Sequence, residues 1–302
     1  MKNYLEIKIK NKNKIKNLTI NNQLTNDSFI ITMKLFLIIS FCCLSIWAKP
    51  SLIRLPRVSK GGRIIGGQVA SAGEFPWQVA IYKDTADGRF FCAGALITEQ
   101  FILTAAQCVY EATQFTIQMG SNQLESTDSN RVTVTATNYI INERFDPTVS
   151  LAHDVAVIKL DSPITPNDYI QPIVYVNMGY LYPGAVCTAA GWGQTSDAST
   201  DLTNDLNYVE VSIIDQFECQ AYYGDQLWNS MICAVGTTNQ GICLGDVGGA
   251  VTAPVNYWVG NYSVVVAIAS WVSQNGCEST DPTGYTRVDS YYDWITNAIK
   301  DE

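Results

Sequence analysis

The 302-residue sequence predicts an all-β protein, barrel or sandwich, with a single helix at its C-terminus. Three observations predict it. Short apolar or alternating runs recur from residue 64 onward, among them 77–81, 115–119, 132–135, 155–158 and 264–268. Turn-forming residues separate them at the spacing expected of all-β domains. Only residues 291–299 carry a helical period, which places Tyr291, Trp294, Ile295 and Ala298 on one face.

The N-terminal region reads as targeting sequence. Met33 and Lys34 open a short basic segment, and residues 35–48 form an almost wholly apolar run. That run is too short for a comfortable membrane span and suits a signal peptide over 33–48, cleaved at Ala48. Residues 1–32, rich in Lys, Asn and Ile, read as an extension upstream of a true start at Met33. The alternative is an unusually long signal n-region. Residues 49–63 form a short basic stretch containing Pro50 and Pro56 and ending at Arg63, which reads as a propeptide. Residues 64–302 then make one domain, and the 47% hydrophobic content supplies a substantial core.

Charge is unevenly placed. Residues 1–63 hold 12 of the 19 basic residues and only Glu6 and Asp27 as acids. Residues 64–302 keep 7 basic and 26 acidic residues, a net charge of about −19. Such a body repels nucleic acid and anionic membrane surfaces, so neither is an expected partner. Cysteine usage fits secretion. Apart from Cys42 and Cys43 in the signal, seven remain: Cys92, Cys108, Cys187, Cys219, Cys233, Cys243 and Cys277. The chain has one His and no CxxC pair, so no metal site and no cofactor are expected.

Nine short motifs carry a resemblance. In order they are IIGG at 64–67, FPWQV at 75–79, FCAGALI at 91–97, LTAAQC at 103–108, HDVAVIKL at 153–160, CTAAGWG at 187–193, GDVGGA at 245–250, SWVS at 270–273 and GYTRV at 284–288. Several are weak alone. In this order and at these spacings the set resembles the trypsin/chymotrypsin (S1) family of serine proteases. The resemblance implies two packed six-stranded antiparallel β-barrels with a C-terminal helix, joined near residues 165–185. It also implies disulfides Cys92–Cys108, Cys219–Cys233 and Cys243–Cys277. A fourth family bridge would join Cys187 to the position of Ala253, which leaves Cys187 odd: a buried free thiol, or one half of an intermolecular disulfide.

The resemblance maps the family's catalytic triad onto Gln107, Asp154 and Val247. A carboxamide does not titrate near neutral pH and cannot shuttle a proton. Valine carries no oxygen. In another triad protease, loss of the serine or histidine alone costs about 10⁶ in turnover. The single histidine, His153, precedes Asp154. Neighbours in extended chain point to opposite sides, so His153 is expected to be structural. The sequence reading is therefore that the chain is not an enzyme. It reads as a secreted S1 homologue, monomeric, acting by binding: a protease cofactor, an inhibitor decoy or a peptide-binding surface. The alternative is a serine-type endopeptidase with a non-standard or residual site. The short pro-segment without an accessory domain resembles the simple digestive-tract homologues of insects and other arthropods, which points to a gut lumen.

Other parts of the family machinery keep their residue types. The N–H groups of Gly245 and Val247 would form an oxyanion-hole-like nest. Arg63, Ile64 and Asp246 match the activation site, where cleavage after Arg63 frees an amine for Asp246. Either this switch still works, or its parts persist because the fold is built around them. The specificity pocket would have Gly241 at its base, with walls from Ser270, Trp271, Val272 and Thr283. No acid stands at Gly241, so the pocket is not expected to prefer basic side chains. Ser270 and Trp271 would offer an edge for β-strand addition by a peptide ligand. Asn261-Tyr262-Ser263 is a glycosylation sequon at an expected hairpin tip.

Overall fold

The structure, a computed structural model, describes residues 53–54, 58–59, 66–177, 181–236, 240–257 and 260–300. In the first half the strands are β1 (Ile53–Arg54), β2 (Val58–Ser59), β3 (Gln68–Val69), β4 (Gln78–Thr85), β5 (Gly88–Leu96), β6 (Phe101–Thr104), β7 (Gln114–Met119), β8 (Val132–Ala136), β9 (Asn138–Ile141) and β10 (Ala156–Lys159). In the second they are β11 (Val174–Tyr175), β12 (Val186–Gly191), β13 (Leu202–Thr203), β14 (Asn207–Ile213), β15 (Met231–Gly236), β16 (Ala250–Tyr257), β17 (Gly260–Trp271) and β18 (Thr283–Arg287). Two helices are present among the described residues, α1 (Gln216–Tyr223) and α2 (Tyr292–Ala298). No described helix is long and apolar enough to cross a membrane.

Alternation decides which faces are buried. On β7, Phe115, Ile117 and Met119 point inward while Gln114, Thr116 and Gln118 point out. On β14, Val209, Val211 and Ile213 are buried and Glu210 is exposed. β4 departs from this pattern because it has neighbours on both faces. Val79 and Ile81 join the core of the first sheet, while Ala80 packs with Phe91, Trp192 and Leu206 in a cluster shared by both halves. Each fully buried Ile or Phe contributes roughly 1.5–3 kcal/mol.

The second sheet closes. β17, β16, β12, β14, β15 and β18 pair in sequence, and β18 returns to β17, giving a six-stranded antiparallel barrel around Val211, Ile232, Val266 and Tyr285. The first sheet runs β8-β7-β4-β5-β6-β10-β9 and curls into a half-barrel, so the expected two-barrel architecture is present with one barrel closed and the other open. The reason is local. Only Thr137 separates β8 from β9, so the two edge strands are halves of one bent segment. The half-barrel's ends meet through the chain itself, not through a ladder of hydrogen bonds.

The C-terminal helix follows its sequence pattern. Tyr291, Ile295 and Ala298 are buried against the first core, and Trp294 donates its indole N–H to Glu143 at 3.0 Å. Helix α1 was not expected from periodicity, since Cys219 is its one buried residue. Its signal lay in its start. Asp215 caps the helix by accepting from Phe217 N at 2.8 Å, and Glu218 follows three residues later, as in a capping box.

Candidate active site

Gln107 sits on a single 3₁₀ turn, Ala106–Cys108, tied to β5 by the Cys92–Cys108 disulfide. Asp154 directly precedes the β10 region and is fully buried. Its Oδ1 accepts from the Gln107 backbone N–H at 2.9 Å, and its Oδ2 accepts from Gln107 Nε2 at 2.5 Å and Ser270 Oγ at 2.6 Å. Gln107 Nε2 also donates to the Ser270 carbonyl at 2.8 Å. Below this, the Lys83 ammonium donates to the Gln107 carbonyl at 3.0 Å. Burial pushes the Asp154 carboxyl up to about 6 against the opposing pull of its donors.

Val247 stands at the core's edge, 7% exposed, with its carbonyl accepting from Ala93 N–H at 2.8 Å. Gln107 and Asp154 are thus joined directly and Val247 lies beside the neighbouring Cys108, its carbonyl 3.5 Å from Cys108 Sγ, but the side chains at the three positions are an amide, a carboxylate and an isopropyl group. The N–H groups of Gly245 and Val247 donate to no described group. Gly245 has φ +103° and a Cβ there would meet Leu202 Cδ2 at 2.5 Å, so only glycine suits the turn that presents them.

Asp246 lies directly beneath. It is 1% exposed, and its carboxylate accepts from Gly193 N–H at 2.7 Å and Cys243 N–H at 2.9 Å. A Cβ on Gly193 would sit on that carboxylate. Burial pushes the group up to about 7. Arg63 and Ile64 lie outside the described residues.

His153 departs from the reasoning that excluded it. Its backbone is left-handed, φ +62°, not extended. The ring still turns away from the triad positions: Nδ1 lies 2.8 Å from Tyr291 Oη, and the ring packs edge-on to Trp228. Burial and the nearby Arg144 hold its pKa below the usual imidazole value.

Part of the expected pocket lines a cavity. Gly241 and Thr283 do border a cavity of ≈200 Å³, with Ala234, Gln240, Cys277 and Asp281 among its other walls. Ser270, Trp271 and Val272 do not border it. Ser270 is committed to Asp154, the Trp271 indole covers Gly284, and Val272 packs on the Cys243–Cys277 bridge. An acid does stand on this cavity. Asp281 accepts from Ser273 Oγ at 2.6 Å and Asn275 Nδ2 at 2.7 Å, which holds its carboxyl below the usual range. Sequence reasoning missed it because Asp281 lies 40 residues from Gly241 in the chain and meets Ser273 and Asn275 only in the folded loop.

The disulfides among the described residues are Cys92–Cys108, Cys219–Cys233 and Cys243–Cys277, as the resemblance implied, and they fit an extracellular protein. Cys187 is free and 1% exposed, its thiol pushed up to about 11 by burial. The Thr188↔Thr252 register carries it opposite Ala253. Asn261 pairs with Asn256 near the end of the β16–β17 hairpin.

Comparison with known proteins adds kinship. The family model described as Trypsin matches residues 64–295. Brachyurin from Leptuca pugilator is 32% identical over 232 residues, covering 77% of this chain and 96% of the relative. Chymotrypsin-like elastase family member 1 from Homo sapiens is 30% identical, covering 78% and 92%. The solved structure of HL collagenase superposes with a TM-score of 0.69 at 30% identity, covering 79% of this chain and all of the other. These matches correct the expectation that the chain is not an enzyme. Relatives aligned over nearly their whole lengths are named for peptidases, so a denial of enzymatic activity is not sustained.

Proposed function

Because this chain belongs to the trypsin family, we propose that its cleft engages extended polypeptide, with the Gly245 and Val247 N–H groups receiving a carbonyl oxygen. The observation that carries this reading is that both N–H groups are without an acceptor among the described residues, on a turn only glycine can make. The Ser270–Val272 segment, reached from β17, offers the neighbouring edge for strand addition. The ligand is a protein or peptide, with active proteases and protease inhibitors among the candidates, met outside the cell. The acidic body of 64–302 disfavours nucleic acid and anionic membranes as partners. The same reading takes Arg63–Ile64 as a processing site that supplies an amine to Asp246.

A second reading, peptide-bond hydrolysis by a non-standard set of groups, is favoured by the kinship with brachyurin and elastase. One experiment addresses both. Protein cut after Arg63 is titrated with a fluorescent peptide panel, and the same mixtures are followed for new amine termini. Saturable binding that weakens in Gly245→Ala supports the first reading. Turnover above buffer supports the second. A panel with neither binding nor turnover overturns both.

A further inference from the structure

We infer that Gln107 Oε1 is a hydrogen-bond acceptor on the cleft floor, built to receive a backbone N–H of a bound peptide. The inference rests on the peptide-engaging reading above and names an atom of recognition within it.

The orientation of the carboxamide follows from its neighbours. Nε2 has two hydrogens, and it faces two acceptors, Asp154 Oδ2 at 2.5 Å and the Ser270 carbonyl at 2.8 Å. A flipped amide would set oxygen against both. Even with Asp154 protonated, the Ser270 carbonyl can only accept, so the nitrogen stays inward. Both donors are therefore used, and Oε1 is turned away from Asp154 and Ser270. That oxygen has no partner among the described residues, and it is not among the buried polar atoms left unsatisfied. It is thus open to solvent or ligand although Gln107 as a whole is only 5% exposed.

The rest of the residue cannot swing to follow a ligand. The Cys92–Cys108 bridge, the Gln107 N–H to Asp154 bond and the Lys83 ammonium on the Gln107 carbonyl all fix the turn that carries it. A fixed acceptor, poorly exposed and unpaired, gains more from a ligand N–H than a free surface amide does. It also completes a complementary set. The nest supplies donors, Gln107 supplies an acceptor, and in extended chain the N–H and C=O of one residue point to the same side. A free carboxylate satisfies the donors only and presents no hydrogen to Oε1. The chemistry selected is a neutral, extended peptide backbone.

The test uses a ten-residue fluorescent peptide selected on the full-length protein from a display library. Each backbone N–H of this peptide is replaced in turn by an ester oxygen, which deletes one donor. One ester is expected to weaken binding about ten-fold to the native protein and not at all to Gln107→Met, which lacks the acceptor. Esters that break strand pairing weaken binding to both proteins equally. Gln107→His guards against a folding defect in the Met variant. A neutral imidazole donating Nδ1–H to Asp154 keeps Nε2 as an acceptor, so the same ester penalty persists there. If the peptide binds and no ester shows a Gln107-dependent penalty, the inference is overturned while the peptide-engaging reading stands. If no peptide can be selected, both fall.

Discussion

Gln107 Nε2 lies 2.5 Å from Asp154 Oδ2, and neither residue is more than 5% exposed. An uncharged donor thus faces a fully buried carboxyl, with no cation on it among the described residues. Asp246 repeats the situation with backbone donors alone. Both carboxyls are pushed up by burial, to about 6 and about 7. Their folded values exceed the ordinary value of 3.8, so the native state holds protons that the unfolded chain releases. Stability from these groups is full below about pH 4 and is lost as pH rises through 6 and 7. One pKa unit is about 1.4 kcal/mol, so each group contributes on the order of a few kcal/mol. The urea midpoint is expected to fall from pH 5 to pH 8. General acidity pushes the same way, so the decisive comparison is Asp154→Asn and Asp246→Asn, each of which should flatten the slope. Slopes unchanged in both variants would remove the argument.

The packing around Asp246 allows a sharper local test. Gly193 approaches the carboxylate so closely that a Cβ there would overlap it, and the Gly193 N–H is one of its two donors. Gly193→Ala must push either the chain or the acid aside. A cost of about 1–3 kcal/mol in urea denaturation is expected. Gly241→Ala is the control for glycine replacement in general, because its backbone is not left-handed and its Cβ would meet nothing closer than Thr283 Cγ2 at 3.8 Å. Equal costs for the two would mean that Gly193 carries no special contact with Asp246.

Much of this was legible in the residues. Alternation exposed β7 and β8, and the ordered motifs placed Gln107, Asp154 and Val247 together. What stayed hidden has physical causes. Helix α1 buries one residue, so it leaves no apolar stripe, and only Asp215 and Glu218 mark its start. The open first sheet depends on a bend at Thr137, which carries no composition signal. Asp281 borders the cavity from a loop held by Ser273 and Asn275, contacts that only the folded chain makes. The left-handed backbone at His153 is likewise a tertiary outcome, fixed by Tyr291 and Trp228.

Cys187 offers a test of register. It lies opposite Ala253 on neighbouring antiparallel strands, and paired residues there have Cα atoms about 4.5–5.5 Å apart, within disulfide range. Protein prepared without residues 1–48, which carry Cys42 and Cys43, is expected to show no thiol reactive to Ellman's reagent until denatured, and then one. Ala253→Cys is expected to oxidise to a fourth bridge, leave no thiol even in denaturant, and raise stability by about 2–4 kcal/mol. Two free thiols in the oxidised variant would show that the strands are not in this register.

Processing after Arg63 should reverse part of the pH response. A freed Ile64 amine reaching Asp246 would give that buried carboxyl a cation, where its described partners are backbone N–H groups alone. Its pKa would then drop from about 7 toward or below the unfolded value. The stability lost between pH 5 and pH 8 would be regained in that group, because a carboxyl depressed in the native state stabilises above its unfolded pKa. A buried pair needs good geometry to be net favourable, and the Gly193 and Cys243 N–H groups already hold the carboxylate in place. Protein cut after Arg63 is therefore expected to have a higher urea midpoint than uncut protein at pH 8, with the gap closing toward pH 5. Arg63→Gln, treated with the same protease, should remain uncut and keep the lower midpoint. Cut and uncut curves that superimpose at pH 8 would show that Asp246 receives no amine, and that Arg63, Ile64 and Asp246 form no switch.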